Sequence, residues 1–511
     1  MEKQKTSLFE HDSVQHLHSS ELEIYVQHCT VTRSVAESRQ THPILGVRYP
    51  ARDVFEPLKS YGEDFLRQGS EPRMIALTGL RGVGKTTLLW QCAEYFLTKH
   101  EVPTYFFNVN ELRNIGESLA SALDCFQTII LGNRFRELTT PVILLFDEAH
   151  DDPEWSSALK VLYDEARTAF IMLTGSSALL LNTNADLARR MRTEKIYPLT
   201  FLEFIAAKSV FQNRATPLHP ASHLAENLRQ ALFYTDTAAE SFTLLQNVQS
   251  NVELFWKEVG DEPIVPAAPE TSTNTRVLLI QEYIYYHNIP AFLAFRNLNL
   301  INDSINDLFK RVIIEDIPKI SKRYDEELVI TKLLYRLAAS DELNIEELSK
   351  KLGVKKDEIE NVLDTLVKAE ILHLLMPFTH RIDAKLTKLR KAFFMSPSLR
   401  RALLSVVYGQ TIPSNLRGKL WEDLTVLYLK RLLPDIVLSF AKNDSATNPD
   451  FVVETRDTPL LIEVGESKLS RQQITQSGLA HRFAILLTNA ESAPTLHGTS
   501  ITVPFEWFML L

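Results

Sequence analysis

Two hydrophobic rhythms alternate along the chain. Short, nearly continuous apolar runs, such as VILLF at 142–146 and FAILL at 483–487, have the length of buried strands. Between such runs apolar residues recur every three or four positions, as Leu88, Leu89, Cys92 and Phe96 do, which predicts helices packed by one face. In the first two hundred residues strands are expected from 74, at 104–110 (TYFFNVN), at 142–147, at 170–177 (FIMLTGSS) and at 195–201 (KIYPLTF). Strand alternating with helix predicts a mostly parallel sheet, with any ligand at the carboxyl ends of its strands.

The rhythm then weakens. Residues 260–275 (GDEPIVPAAPETSTNT) are rich in Pro and Thr, lack periodicity, and read as a linker or exposed loop. Helical patterning resumes at 276–295, where Tyr283, Tyr285 and Tyr286 form a cluster expected in a core or interface rather than as a base-stacking platform. Residues 343–378 carry a helix, a turn at Gly353, a second amphipathic helix and an apolar strand, the order of a winged helix-turn-helix. DNA binding would put the 357–369 helix in the major groove, where Asp357, Glu358, Glu360 and Asp364 would meet phosphates. Lys355, Lys356 and Lys368 oppose them, and a module contacting another domain or a partner is the favoured reading. From residue 420 an amphipathic helix bearing Glu422 precedes strands that bear Asp450 and Glu463, and the chain closes on the apolar ITVPFEWFMLL.

Composition narrows the classes. At 511 residues the chain is expected to hold two to four domains, and 45% hydrophobic with 23% charged residues is ordinary globular usage. No apolar run approaches a membrane span and the first thirty residues hold none, so neither a membrane partner nor a secretory leader is expected. Cys29, Cys92 and Cys125 lack metal-type spacing and suit a reducing cytoplasm. A net charge of −9 argues against indiscriminate nucleic-acid binding by the whole surface but leaves room for a local basic groove.

The strongest chemistry lies at Gly79-x4-Gly84-Lys85-Thr86, between the first strand and the Leu88–Phe96 stripe. This is the P-loop arrangement. Backbone N–H groups of Gly79, Arg81, Gly82, Val83, Gly84, Lys85, Thr86 and Thr87 are expected around the phosphates of ATP. Lys85 supplies charge for the β- and γ-phosphates, and the Thr86 hydroxyl can hold Mg²⁺. The strand ending in Asp147-Glu148 places a second Mg²⁺-holding group, Asp147, and a general base, Glu148. Ser176 or Ser177 is placed either to sense the γ-phosphate or to cap the next helix. Arg189 and Arg190 either stabilise transition-state charge at a neighbouring subunit's nucleotide or are solvated helix arginines.

The segments GLRGVGKTTLL, LLFDEAH, LTGSSALLL, LARRM and YPLTFLEF occur in the order found in a family of prokaryotic AAA-type ATPases, relatives of the archaeal and signal-transduction ATPases, which the chain resembles over most of its length. The family's arginine segment usually has Gly before Arg. Here Arg189 replaces that Gly and Arg190 holds the Arg position, which makes Arg190 the finger candidate. The resemblance implies an α/β chain: a P-loop NTPase parallel sheet flanked by helices, then a winged helix and a PD-(D/E)xK-like domain. The boundaries expected are an N-terminal extension (1–50), the ATPase domain (51–208), a helical region (209–300), the winged helix (301–400) and the nuclease-like domain (401–511). In active nucleases of that fold the carboxylates corresponding to Glu422, Asp450 and Glu463 hold Mg²⁺ and a lysine orients the attacking water.

That lysine is expected two residues after Glu463, where Gly465 stands. Lys468 could replace it only if the strand were re-phased, and a bulge at Gly465 is the device expected for that. A degenerate site, at most binding metal, is the expectation. Three functional readings follow: an ATP-hydrolysing switch coupled to the later domains, an ATP-gated nuclease acting on DNA or RNA, as in defence against foreign elements, and a nucleotide-binding scaffold. The partners expected are ATP, further copies of the chain, and a nucleic acid or a protein of unknown kind.

Overall fold

The computed structural model describes residues 19–175, 187, 189–212, 223–261, 274–316, 327–340, 342–379, 390–442 and 448–511. Five strands build the first sheet: β1 (Met74–Thr78), β2 (Thr104–Asn108), β3 (Val142–Asp147), β4 (Ala169–Thr174) and β5 (Arg192–Lys195). All pair in parallel in the order β2-β3-β4-β1-β5. The central strands β1, β3 and β4 are buried on both faces, which is why their sequences are unbroken apolar runs. Helix α1 (Lys85–Lys99) lays Leu88, Leu89, Cys92 and Phe96 against one face, as its stripe predicts.

The fifth strand departs from expectation. It is Arg192–Lys195, not 195–201, and helix α2 (Phe201–Phe211) begins where the strand was expected to end. Two local causes account for this. Pro198 has no N–H for a sheet ladder. Thr200 and Glu203 form a capping box, with Glu203 N donating to Thr200 Oγ1 (3.2 Å) and Thr200 N to Glu203 Oε2 (3.0 Å). The tyrosine cluster lies in a π-helical turn, Tyr283–His287, with Tyr283 and Tyr286 buried.

The expected helix, turn, helix and strand of the second half form as α3 (Ile345–Leu352), α4 (Lys356–Lys368) and β7 (Leu372–Pro377), after a short β6 (Glu342–Leu343). With β8 (Arg390–Phe394) they make a small antiparallel sheet ordered β6-β8-β7. Met376 and Pro377 of β7 then pair in parallel with β9 (Val437–Phe440), so this small sheet continues into the next one without a break. The remaining strands are β10 (Phe451–Glu454), β11 (Leu460–Val464), β12 (Ala484–Thr488), β13 (Thr495–His497) and β14 (Ser500–Pro504). The whole is nine-stranded, β13-β14-β12-β11-β10-β9-β7-β8-β6. Helices α5 (Pro397–Tyr408) and α6 (Ser414–Leu432) pack beside it. They are joined by the fully buried pair Arg400–Asp423, with Nε 2.6 Å and Nη2 2.9 Å from the carboxylate.

Candidate functional site

β1 runs straight into the glycine-rich turn, and its neighbour strand explains the first glycine. A Cβ at Gly79 would stand 2.2 Å from the Ile196 carbonyl oxygen, and the residue's φ is +144°. No side chain fits there. Lys85, the first residue of α1, is buried and folds its ammonium onto the loop, donating to the carbonyls of Gly79 (2.9 Å) and Leu80 (3.4 Å). Burial lowers its pKa, opposed by the charges of Glu148, Asp147 and Glu370. Glu370 comes from the turn after α4 and is paired with Lys195 at 2.5 Å, so the later unit touches the end of β5.

β3 delivers Asp147 beside the loop. The Thr86 hydroxyl lies 3.0 Å from each Asp147 oxygen, and Thr174 of β4 donates to Oδ1 at 2.6 Å. Burial raises the Asp147 pKa, and the hydroxyls of Thr174 and Thr86 work against that rise. One hydroxyl and one carboxylate are hard oxygen donors of the kind Mg²⁺ takes alongside water and phosphate. Glu148 adopts φ +52°, uncommon for a side-chain-bearing residue, and its N–H donates to Thr174 Oγ1 (2.9 Å). Its Oε2 is 3.4 Å from His150 Nδ1.

A cavity of about 430 Å³ opens above the loop. Arg81 through Leu88 form its floor, and Glu148 faces it. Its other walls are His42, Tyr49, Phe211 and the segment containing Pro290 and Ala291. These were not anticipated, and no local motif announces them, because they come from separate stretches far from the loop in sequence. The contact is close: Ala291 N donates to Gly82 O at 3.1 Å.

Not every expected residue joins this cavity. Arg190 pairs with Asp164 on the neighbouring helix (Nε–Oδ1 3.0 Å) and sits 5.9 Å from the centre of the Tyr163 ring, and it does not line the cavity. Ser176 lies outside the described residues.

The second cluster forms where β10 and β11 meet. Asp450, just before β10, stands opposite Glu463 of β11. Asp450 N donates to Glu463 Oε2 (3.2 Å), and Val464 N donates to Asp450 Oδ2 (2.9 Å). Both acids are raised, Asp450 to about 7, by burial first; the Glu463 charge adds to the Asp450 rise. The expected bulge does not form. β11 ends at Val464, and Gly465–Lys468 make a turn closed by Lys468 N to Gly465 O at 3.3 Å. That turn carries the Lys468 ammonium back onto Glu463 Oε1 and Gln473 Oε1. A Cβ at Gly465 would come 2.6 Å from that of Lys468, so glycine allows the fold-back. Gln473, which anchors the lysine, was not anticipated. Among the described residues no group of three or more His, Cys, Asp or Glu side chains is placed to hold a metal ion, so Glu422 does not complete the expected carboxylate trio.

Residues 71–205 match the family model described as an AAA domain, and residues 279–408 match a domain of unknown function (DUF8612). With the all-parallel sheet and the loop just described, the match defines the class of the first unit: an AAA-type P-loop domain. The chain is similar to the uncharacterized protein MJ1637 of Methanocaldococcus jannaschii, 27% identical over 478 residues that cover 92% of each chain. Among solved structures it resembles the Aeropyrum pernix ORC2 protein in its ADPNP–ADP complexes, with a TM-score of 0.35, 12% identity, and 75% of this chain and 99% of that one covered. It also resembles the Aeropyrum pernix ORC1 protein in complex with DNA, with a TM-score of 0.29, 12% identity, and 78% and 98% covered. No helix among the described residues is long and apolar enough to cross a membrane.

Proposed function

We propose that the chain is a Mg²⁺-dependent ATP-binding and ATP-hydrolysing switch whose nucleotide state is passed to the two later units. The observation that carries this reading is the cavity over the loop, with Lys85, Thr86 and Glu148 on its lining and Asp147 bonded to Thr86. In this reading the loop's N–H groups and Lys85 hold the phosphates, and Thr86 and Asp147 hold Mg²⁺, which supplies charge neutralisation when bound. Glu148, which faces the cavity, accepts the proton of the attacking water. Tyr49, His42 and Phe211 offer ring surfaces to the base of the nucleotide. Lys85→Ala should abolish binding of a fluorescent ATP analogue or weaken it severely, since the phosphates lose their charged partner. Unchanged binding would remove the assignment.

A second reading adds nuclease activity at Asp450, Glu463 and Lys468. It is favoured by the lysine turned onto the second carboxylate, the arrangement that the spacing alone left in question. The 345–368 helix pair supports a docking role over DNA readout. Lys356 is tied to Glu346, Asp364 to Arg390, and the exposed face of α4 keeps Asp357, Glu360 and Asp364.

A further inference from the structure

A cluster of four charged side chains links the nucleotide loop to α6, a helix of the C-terminal unit. Arg52 lines the loop cavity and donates from Nη1 to the Val83 carbonyl (2.8 Å). Its other nitrogens reach Glu203 (Nε–Oε1 3.2 Å, Nη2–Oε2 3.0 Å) and the Tyr197 carbonyl (2.8 Å). Arg431, near the end of α6, closes on the same carboxylate. Its Nη1 donates to Glu203 Oε2 (2.8 Å) and the Pro198 carbonyl (3.0 Å), and its Nη2 to Asp53 (3.1 Å). The side chains of Arg52, Glu203 and Arg431 are only 10%, 5% and 13% exposed.

We propose that Arg431 is a positioning residue for the nucleotide loop, supplied by a different unit of the chain, and that docking of α6 and nucleotide binding are thereby linked. The proposal rests on the nucleotide-binding reading above. Its logic is a charge balance. Arg52 and Arg431 together face Glu203 and Asp53, two cations against two anions. Without Arg431 the buried Glu203 carboxylate relies on Arg52, which is drawn off the Val83 carbonyl toward it, whereas Asp53, 76% exposed, turns to water. Because the peptide is planar and trans, the direction of that carbonyl sets the direction of the Gly84 N–H, a donor the phosphates would use. α6 is held at this end by a further bond, with Phe201 N donating to Tyr428 Oη (2.7 Å). Eight residues up the same helix, about 12 Å away at 1.5 Å per residue, Asp423 is bonded to Arg400 of α5 and accepts from the Phe394 N–H.

The test uses the full-length protein and titration of a fluorescent ATP analogue, with thermal unfolding measured in parallel. Arg431→Met should weaken binding about tenfold, the usual size of such a coupling. Arg431→Lys should recover part of the loss, since an ammonium can pair with Glu203 but cannot also span Asp53 and Pro198 O. Arg456→Ala removes another contact of the C-terminal unit, to Asp236 and the Tyr234 carbonyl, away from the loop, and should leave affinity within about twofold of wild type. If Arg431→Met does not fold, Arg431→Lys alone decides, with a loss of about threefold expected. Wild-type affinity in a folded Arg431 variant, or an equal loss in Arg456→Ala, would overturn the inference. Failure of the wild-type protein to bind the analogue would instead remove the nucleotide reading itself.

Discussion

At the residue scale, Asp450 and Glu463 show how much burial changes an acid. Burial first, and then the neighbouring Glu463 charge, push the Asp450 carboxyl up to about 7 from the ordinary 3.8. Between those values the folded state holds a proton that the unfolded state has released, so stability falls as pH rises through that window. As the pair ionises, the native chain holds two negative charges side by side, with Lys468 as their neighbouring cation. Asp450→Asn, in EDTA, should therefore raise Tm at pH 8 and raise it less, or lower it, at pH 5. Thermal unfolding at the two pH values checks this, and an effect independent of pH would contradict the assigned titration. The placement of Lys85 and Glu148 at the cavity was legible from sequence because both lie at fixed spacings from a loop and a strand end. Arg52 was not, because its partners Val83, Tyr197 and Glu203 lie up to about 150 residues away.

At the scale of elements, the strands of the first sheet were legible wherever burial on both faces makes an unbroken apolar run, as in β1, β3 and β4. β5 was misplaced because its residues, Arg192–Lys195, are polar and partly exposed, while the apolar stretch after it belongs to a helix start. The turn Gly465–Lys468 is the more instructive case. An unbroken strand or a bulge is what the spacing predicts, but the strand stops at Val464, and a turn aims the lysine that a strand could not. If the C-terminal cluster cuts nucleic acid, Lys468→Ala should abolish a Mg²⁺-dependent cleavage shown by the wild-type protein, followed by strand length on a gel. Absence of cleavage by wild-type protein with DNA and RNA, with and without ATP, would leave the cluster as a structural remnant.

At the scale of the whole molecule, β7 and β9 pair in parallel across the expected boundary at 400, within one sheet. A sequence cannot announce that pairing, since two-residue parallel contacts leave no periodicity of their own. The same holds for the cavity, whose walls come from residues as distant as His42 and Ala294 around a floor at 81–88. Segments of the later units thus touch the loop and its neighbours, through Ala291 at Gly82, Glu370 at Lys195 and Arg431 at Glu203. Such contacts give a switch its means of transmission, provided that the nucleotide is bound and turned over at this loop. Pre-steady-state phosphate release by Glu148→Gln, measured beside its affinity for ATP, tests that most directly. Near-wild-type ATP affinity is expected, with release slowed by about two orders of magnitude or more. Turnover within a few-fold of wild type would contradict it.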